Sequence, residues 1–266
     1  MIMKYFDSHA HYYDERFAEE YSGGADALLA ELFSGSVSYI VNVGTRNETN
    51  LQAIEQAKRY PNMYTALGLH PTDLRYIDYG IDKALFELRT LISDKSSKCA
   101  ALGEIGLDYH YPDTDKQRQT EYFRRQMELA EELSLPVVIH DRDAHGDVME
   151  IIREFPRVKG VLHSFSGSPE MAEELVERGY IISFSGTLTF KNARRPKEVA
   201  AAIPISKILI ETDAPYLAPH PKRGTLNHSG NLEFTNRELA EIKGISEEEC
   251  AKITEENALG FFGINR

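Results

Sequence analysis

The sequence predicts an α/β protein of the (β/α)8, or TIM, barrel class, and three observations carry that prediction. Eight short apolar runs rich in β-branched and aromatic residues recur along the 266-residue chain. Segments with apolar residues three and four apart lie between most of them, which implies parallel strands joined by helical crossovers. Ionisable residues collect at the C-terminal end of most runs, where barrels of this class keep their chemistry. A doubly wound open sheet is the alternative.

The runs are, in order, "KYFDSHAH" (4–11), "YIVNVG" (39–44), "YTALGLH" (64–70), "AALGEIGLD" (100–108), "PVVIHD" (136–141), "GVLHSF" (160–165), "YIISFSG" (180–186) and "ILIETD" (208–213). Helical periodicity marks "KQRQTEYFRRQMELAEELS" (116–134), "AHGDVMEIIREF" (144–155) and "PEMAEELVERG" (169–179), the last with Gly179 suited to the position just past the helix end. "PYLAPHPKRGTLNHSGN" (215–231) reads as a long loop before a closing helical tail, and Ser246 ahead of three glutamates reads as a helix cap. With no repeat or linker interrupting the series, residues 1–266 are expected to form one domain.

Composition narrows the partners. A net charge of −12 lacks the basic footprint of a protein that holds nucleic acid by counterion release, so a phosphate ester substrate would need local positive charge. The chain has no 18-residue apolar run and no basic-then-apolar start, so a cytoplasmic location without membrane contact is expected. Cys99 and Cys250 are too isolated for a disulfide framework and read as packing residues.

The strand ends hold the candidate site. His9 and His11 end the first run, His70 the third, Glu104 to Asp108 lie in the fourth, His140 ends the fifth, His163 lies in the sixth and Asp213 ends the eighth. Parallel strands covered on both faces are normally unbroken Val, Ile and Leu, so ionisable residues there are costly unless paired or bound to metal. Imidazole with carboxylate suits zinc, manganese, iron or nickel, whereas magnesium prefers oxygen and water. Six ligands would saturate one catalytic ion, while two ions sharing a carboxylate would each keep an open position.

In this ordered series the chain resembles the TatD-family metal-dependent deoxyribonucleases, a branch similar to the amidohydrolase barrels. The resemblance runs from "DSHAH" through "GLHP" (68–71), "GEIGLDY" (103–109), "QTEYFRRQMELA" (119–130), "LPVVIHDRDA" (135–144), "HSFSGS" (163–168) and "GYIISFSGTLTFKNA" (179–193) to "ETDAPYLAP" (211–219). It implies two divalent ions per chain, with magnesium, manganese and zinc as candidates. His9, His11 and Asp213 would hold one, His140 and His163 the other, and Glu104 would bridge in place of the carboxylated lysine of phosphotriesterase-like barrels. The implied activity is hydrolysis of phosphodiester bonds in DNA without sequence readout.

Around that ligand set, Asp213 is the candidate general base and His70 a candidate hydrogen-bonding residue for a phosphate or leaving oxygen. Arg142 and Arg223 are candidate phosphate contacts. Asp7 is expected to steady an imidazole of the His-x-His pair, and Glu211 to be a buried structural acceptor. His110, His145, His220 and His228 are expected to be solvated. One departure from the family pattern stands after the eighth strand: "KRGTLNHSGN" keeps Arg223 and Gly224, has Thr225 in place of a lysine and lacks a Glu-Pro pair. The same metal site could instead serve an amide, ester or lactone of a small molecule or tRNA, because this barrel hosts many chemistries.

Overall fold

A computed structural model describes residues 3–265. Its parallel strands follow the sheet in chain order: β1 (Tyr5–Ala10), β2 (Val37–Val43), β3 (Met63–Leu67), β4 (Cys99–Asp108), β5 (Val137–Arg142), β6 (Gly160–Leu162), β7 (Ile181–Phe184) and β8 (Ile208–Ile210). The helices are α1 (Arg16–Glu20), α2 (Gly24–Ser34), α3 (Asn47–Arg59), α4 (Ile81–Ser93), α5 (Lys116–Leu133), α6 (His145–Glu154), α7 (Pro169–Glu177), α8 (Arg194–Ala202), α9 (Leu232–Lys243) and α10 (Glu247–Phe262). This alternation is the topology of a (β/α)8 barrel, as the spacing of the apolar runs predicts.

The chain forms two compact units, each described here by itself. The first takes the described residues through Asn42 and from His163 onward; the second takes Val43–Leu162. In the first, β1 pairs with β2, β7 pairs with β8, and β8 runs on beside β1, where the Asp213 N–H donates to the His9 carbonyl at 2.9 Å and the His11 N–H to the Ala214 carbonyl at 2.7 Å. All six residues of β1 are buried, as expected of a strand covered on both faces. Phe6 stacks between Tyr39 of β2 and Phe262 of α10, with ring centroids 5.5 and 5.8 Å away. Ser246 caps α10, its hydroxyl accepting the Glu249 N–H at 3.1 Å.

In the second unit β3, β4, β5 and β6 pair in sequence. Leu102, Ile105 and Leu107 of β4 are fully buried, as are Phe123, Met127 and Ala130 of α5. Asp115 caps α5 by accepting the Arg118 N–H; in the first unit, α7 is followed by Gly179 at φ 86°, a left-handed conformation that glycine adopts without strain. Cys99 and Cys250 are free thiols, both pushed up to about 12 by burial, which keeps them unreactive.

Several strands stop earlier than the apolar runs suggest. β6 ends at Leu162 and β8 at Ile210, and the chain beyond each passes through a left-handed backbone conformation, at Ser164 (φ 41°) and Asp213 (φ 58°). β3 ends at Leu67, and His70 caps a 3-10 turn over Pro71–Tyr76. His11, His70 and His163 therefore sit just past their strands, while His9 and His140 lie on β1 and β5. No described helix is long and apolar enough to cross a membrane.

Candidate metal centre

Within the first unit, alternation along β1 and the turn after β8 bring His9, His11 and Asp213 together. His9 Nε2 lies 3.1 Å from His11 Nε2, and Asp213 Oδ1 lies 3.4 Å from His11 Nε2 and 3.7 Å from His9 Nε2. Those separations define a triangle whose circumradius is about 2.0 Å, the length of a zinc–nitrogen or zinc–oxygen bond. Burial works to raise the Asp213 carboxyl, but the His11 hydrogen bond and the neighbouring charges of His163, His9 and His11 hold it below the usual carboxylate range. It is thus an ionised oxygen donor, and the donor set fits a divalent cation.

The side chains behind these ligands orient them. His11 Nδ1 is 3.1 Å from the Tyr13 hydroxyl, which leaves Nε2 aimed at Asp213. His163 stacks on His9 with ring centroids 4.1 Å apart. Its Nδ1 lies 3.2 Å from Glu211 Oε1, and the same oxygen accepts the Ser164 N–H at 2.7 Å. Glu211 is therefore the buried acceptor expected from sequence, and its hold on Nδ1 leaves Nε2 as the ring nitrogen that could bind a metal, as in a carboxylate–histidine–metal series.

Asp7 departs from expectation. Its carboxylate accepts the Thr212 N–H and hydroxyl at 3.0 and 2.6 Å, the Ser229 hydroxyl at 2.6 Å and the His9 backbone N–H at 3.3 Å. It ties β1 to the turn before Asp213 and does not hold an imidazole ring, because Thr212 and Ser229 reach it first. Burial pushes its carboxyl up to about 6, with the Ser229 and Thr212 hydrogen bonds working the other way.

Within the second unit, Glu104 Oε1 lies 3.0 Å from His140 Nδ1 and 3.4 Å from His70 Nε2. The other nitrogen of His140, Nε2, is 3.0 Å from Asp108 Oδ2. Burial works to raise Asp108, but the hydrogen bond and charge of His140 hold it below the ordinary range. Glycine 68 lets these groups assemble: a Cβ there would lie 2.6 Å from the Gly103 carbonyl carbon and 2.8 Å from the Glu104 nitrogen and oxygen. Gly106, at φ 133°, likewise admits the His140 carbonyl at a distance no side chain would allow.

The candidate phosphate contacts are exposed. The Arg142 guanidinium lies 5.9 Å from the Tyr111 ring centroid and that of Arg223 4.0 Å from Phe190. Of the histidines read as solvated, His110 pairs with Asp143 and His145 with Asp141, while His228 is partly buried and accepts the Gly230 N–H through Nδ1. Sequence reading placed Asp108 among the ionisable residues of the fourth run but not as the support of His140, and it missed two others, Tyr13 behind His11 and Asn227. Asn227, fully buried, donates to the Thr212 and Tyr216 carbonyls at 2.9 and 2.6 Å and so fastens the last loop to the turn around Asp213. The offsets of two residues from His11 to Tyr13 and of four from Glu104 to Asp108 were visible, but the facing of the side chains was not.

The profile of the TatD-related DNase family matches residues 6–263. The metal-dependent hydrolase YabD of Bacillus subtilis is 40% identical over 262 residues, covering 98% of this chain and 99% of its own length. YcfH of Escherichia coli K12, also named a metal-dependent hydrolase, is 34% identical and covers 97% and 96%. The crystal structure of YjjV, a TatD homologue from Escherichia coli K12, superimposes with a TM-score of 0.89 at 31% identity over the full length of both chains.

Proposed function

Because this chain belongs to the TatD-related DNase family of metal-dependent hydrolases, we propose that it cleaves phosphodiester bonds of DNA with two divalent ions. The observation that carries the reading is the triangle of His9, His11 and Asp213, which fits a cation with about 2.0 Å bonds. In this reading His9, His11 and Asp213 would hold one ion and His140 and His163 the other, with Glu104 the carboxylate that would serve both. Bound there, the cations lower the pKa of a water molecule and offset negative charge on the phosphoryl oxygens, which gives an acidic protein its local positive field.

The chain's own residues do the rest. Asp213, kept ionised, accepts the proton released as water attacks. His70 donates a hydrogen bond to a phosphoryl or leaving oxygen, and Arg142 and Arg223 hold flanking phosphates. Contacts of this kind position a strand without reading its bases, so cleavage is independent of sequence.

The test is hydrolysis of end-labelled single- and double-stranded DNA by metal-reconstituted protein, beside Glu104→Ala and beside amide, ester and lactone substrates. Cleavage of DNA that disappears in the folded variant supports the reading. Turnover of only the small substrates, or DNA cleavage unchanged by Glu104→Ala, overturns it.

A further inference from the structure

We infer that two glutamines of α5 clamp the chain on either side of His70 and hold its ring as a hydrogen-bond donor, not as a metal ligand. Gln119 and Gln126 are seven residues apart, two turns along one face of the helix, and both are buried. A buried amide is costly unless its oxygen and nitrogen are both paired. Gln126 Oε1 accepts the Leu69 N–H at 2.8 Å while its Nε2 donates to the Leu69 carbonyl at 3.1 Å. Gln119 Oε1 accepts the Asp108 N–H at 2.8 Å while its Nε2 donates to the Pro71 carbonyl at 3.4 Å.

The Leu69 and Pro71 groups have left the sheet ladder, since β3 ends at Leu67, and Asp108 is the last residue of β4. The glutamines take the place of a neighbouring strand there. The His70 N–H itself donates to the Thr45 carbonyl at 2.8 Å, so the backbone at 69, 70 and 71 is bound at each residue. Gln119 also joins this segment to Asp108, the partner of His140.

The fixed backbone decides the state of the ring. His70 Nδ1 accepts the Thr72 backbone N–H at 3.2 Å and lies 2.8 Å from the Thr72 hydroxyl. A peptide N–H only donates, so Nδ1 carries no proton and the neutral ring bears its proton on Nε2. That nitrogen faces Glu104 Oε1 at 3.4 Å. Nε2–H can steady Glu104 or donate to an anionic substrate oxygen, but it has no lone pair for a cation. Gln119 and Gln126 are positioning residues that act through His70; only the identity of the oxygen it meets rests on the phosphodiester reading.

Two measurements test this on the metal-loaded protein. In 15N-histidine NMR spectra, with His70 assigned by its loss in His70→Asn, the bare nitrogen should be Nδ1 and Nε2 should carry the proton. Gln126→Ala should mix the two tautomers. A bare or metal-ligated Nε2 in the wild type, or an unchanged tautomer in Gln126→Ala, overturns the inference.

The second measurement is a double-mutant cycle on hydrolysis of bis(p-nitrophenyl) phosphate. Gln126→Ala should lower kcat about tenfold with bound metal unchanged, yet less than about twofold in a His70→Ala background, because it acts through that ring. Equal losses in both backgrounds would mean a purely structural role and overturn the inference. Gln119→Ala repeats the cycle if Gln126→Ala does not fold. Failure of every form to hydrolyse the ester counts against the phosphodiester reading, and the NMR result then decides the clamp alone.

Discussion

Asp108 Oδ2 and His140 Nε2 lie 3.0 Å apart, with the opposite ring nitrogen of His140 at the same distance from Glu104. A carboxylate behind a ligating imidazole fixes the ring and raises its basicity, and removing one typically weakens metal binding 10- to 100-fold. Asp108→Asn should therefore lower affinity for the ion held by His140 by about that factor while the protein stays folded, read by competition with a chromogenic chelator. Glu211→Gln should do the same through His163. Unchanged affinity in both variants would mean that these carboxylates only pack.

Removing an oxygen donor should have a sharper effect. Asp213 supplies the single carboxylate oxygen of the triangle with His9 and His11. Asp213→Ala should lose one equivalent of bound metal, counted by mass spectrometry of the dialysed protein, along with at least about a hundredfold of any hydrolytic activity. Full metal content in the variant would contradict the assignment.

Asp7 should leave a signature in stability against pH. Its carboxyl is raised from 3.8 to about 6 in the folded chain by burial. The folded state thus holds the proton more tightly than the unfolded state. The stabilisation is complete below the unfolded value and is lost as pH rises through about 6. Between pH 4.5 and 7, Asp7 should cost the chelator-treated wild type about 2 kcal/mol relative to Asp7→Asn. Urea midpoints of the two proteins at both pH values check this; parallel curves would show that Asp7 titrates normally.

Gly68 tests how closely the Glu104 backbone must be approached. The added methyl of Gly68→Ala would meet Gly103 and Glu104 backbone atoms at 2.6 to 2.8 Å, and neither can yield as a flexible side chain would. The expected destabilisation is about 1–3 kcal/mol, the range for overpacking a filled interior. Metal affinity should fall with it, because the shift passes to Glu104. Loss of stability with metal binding intact would separate the packing role from the positioning one.

Much of this molecule was decided by the sequence itself. Short apolar runs and helical apolar periodicity marked β1 to β8 and the helices α5, α6 and α7, because burial of one face or two is a local, repeating demand on composition. The His-x-His of β1 was legible for the same reason, since alternation places residues two apart on one side.

The tertiary structure decided which partner each polar group found. Asp7 shares the parity of His9 and His11, yet Thr212 and Ser229, more than 200 positions away, claim its oxygens. Gln119 and Gln126 looked like polar positions on an amphipathic helix and became substitutes for a missing strand. Pattern in a sequence records whether a side chain is buried. A hydrogen bond depends on ångström distances and on the direction of the donor, and those exist only once distant segments have packed.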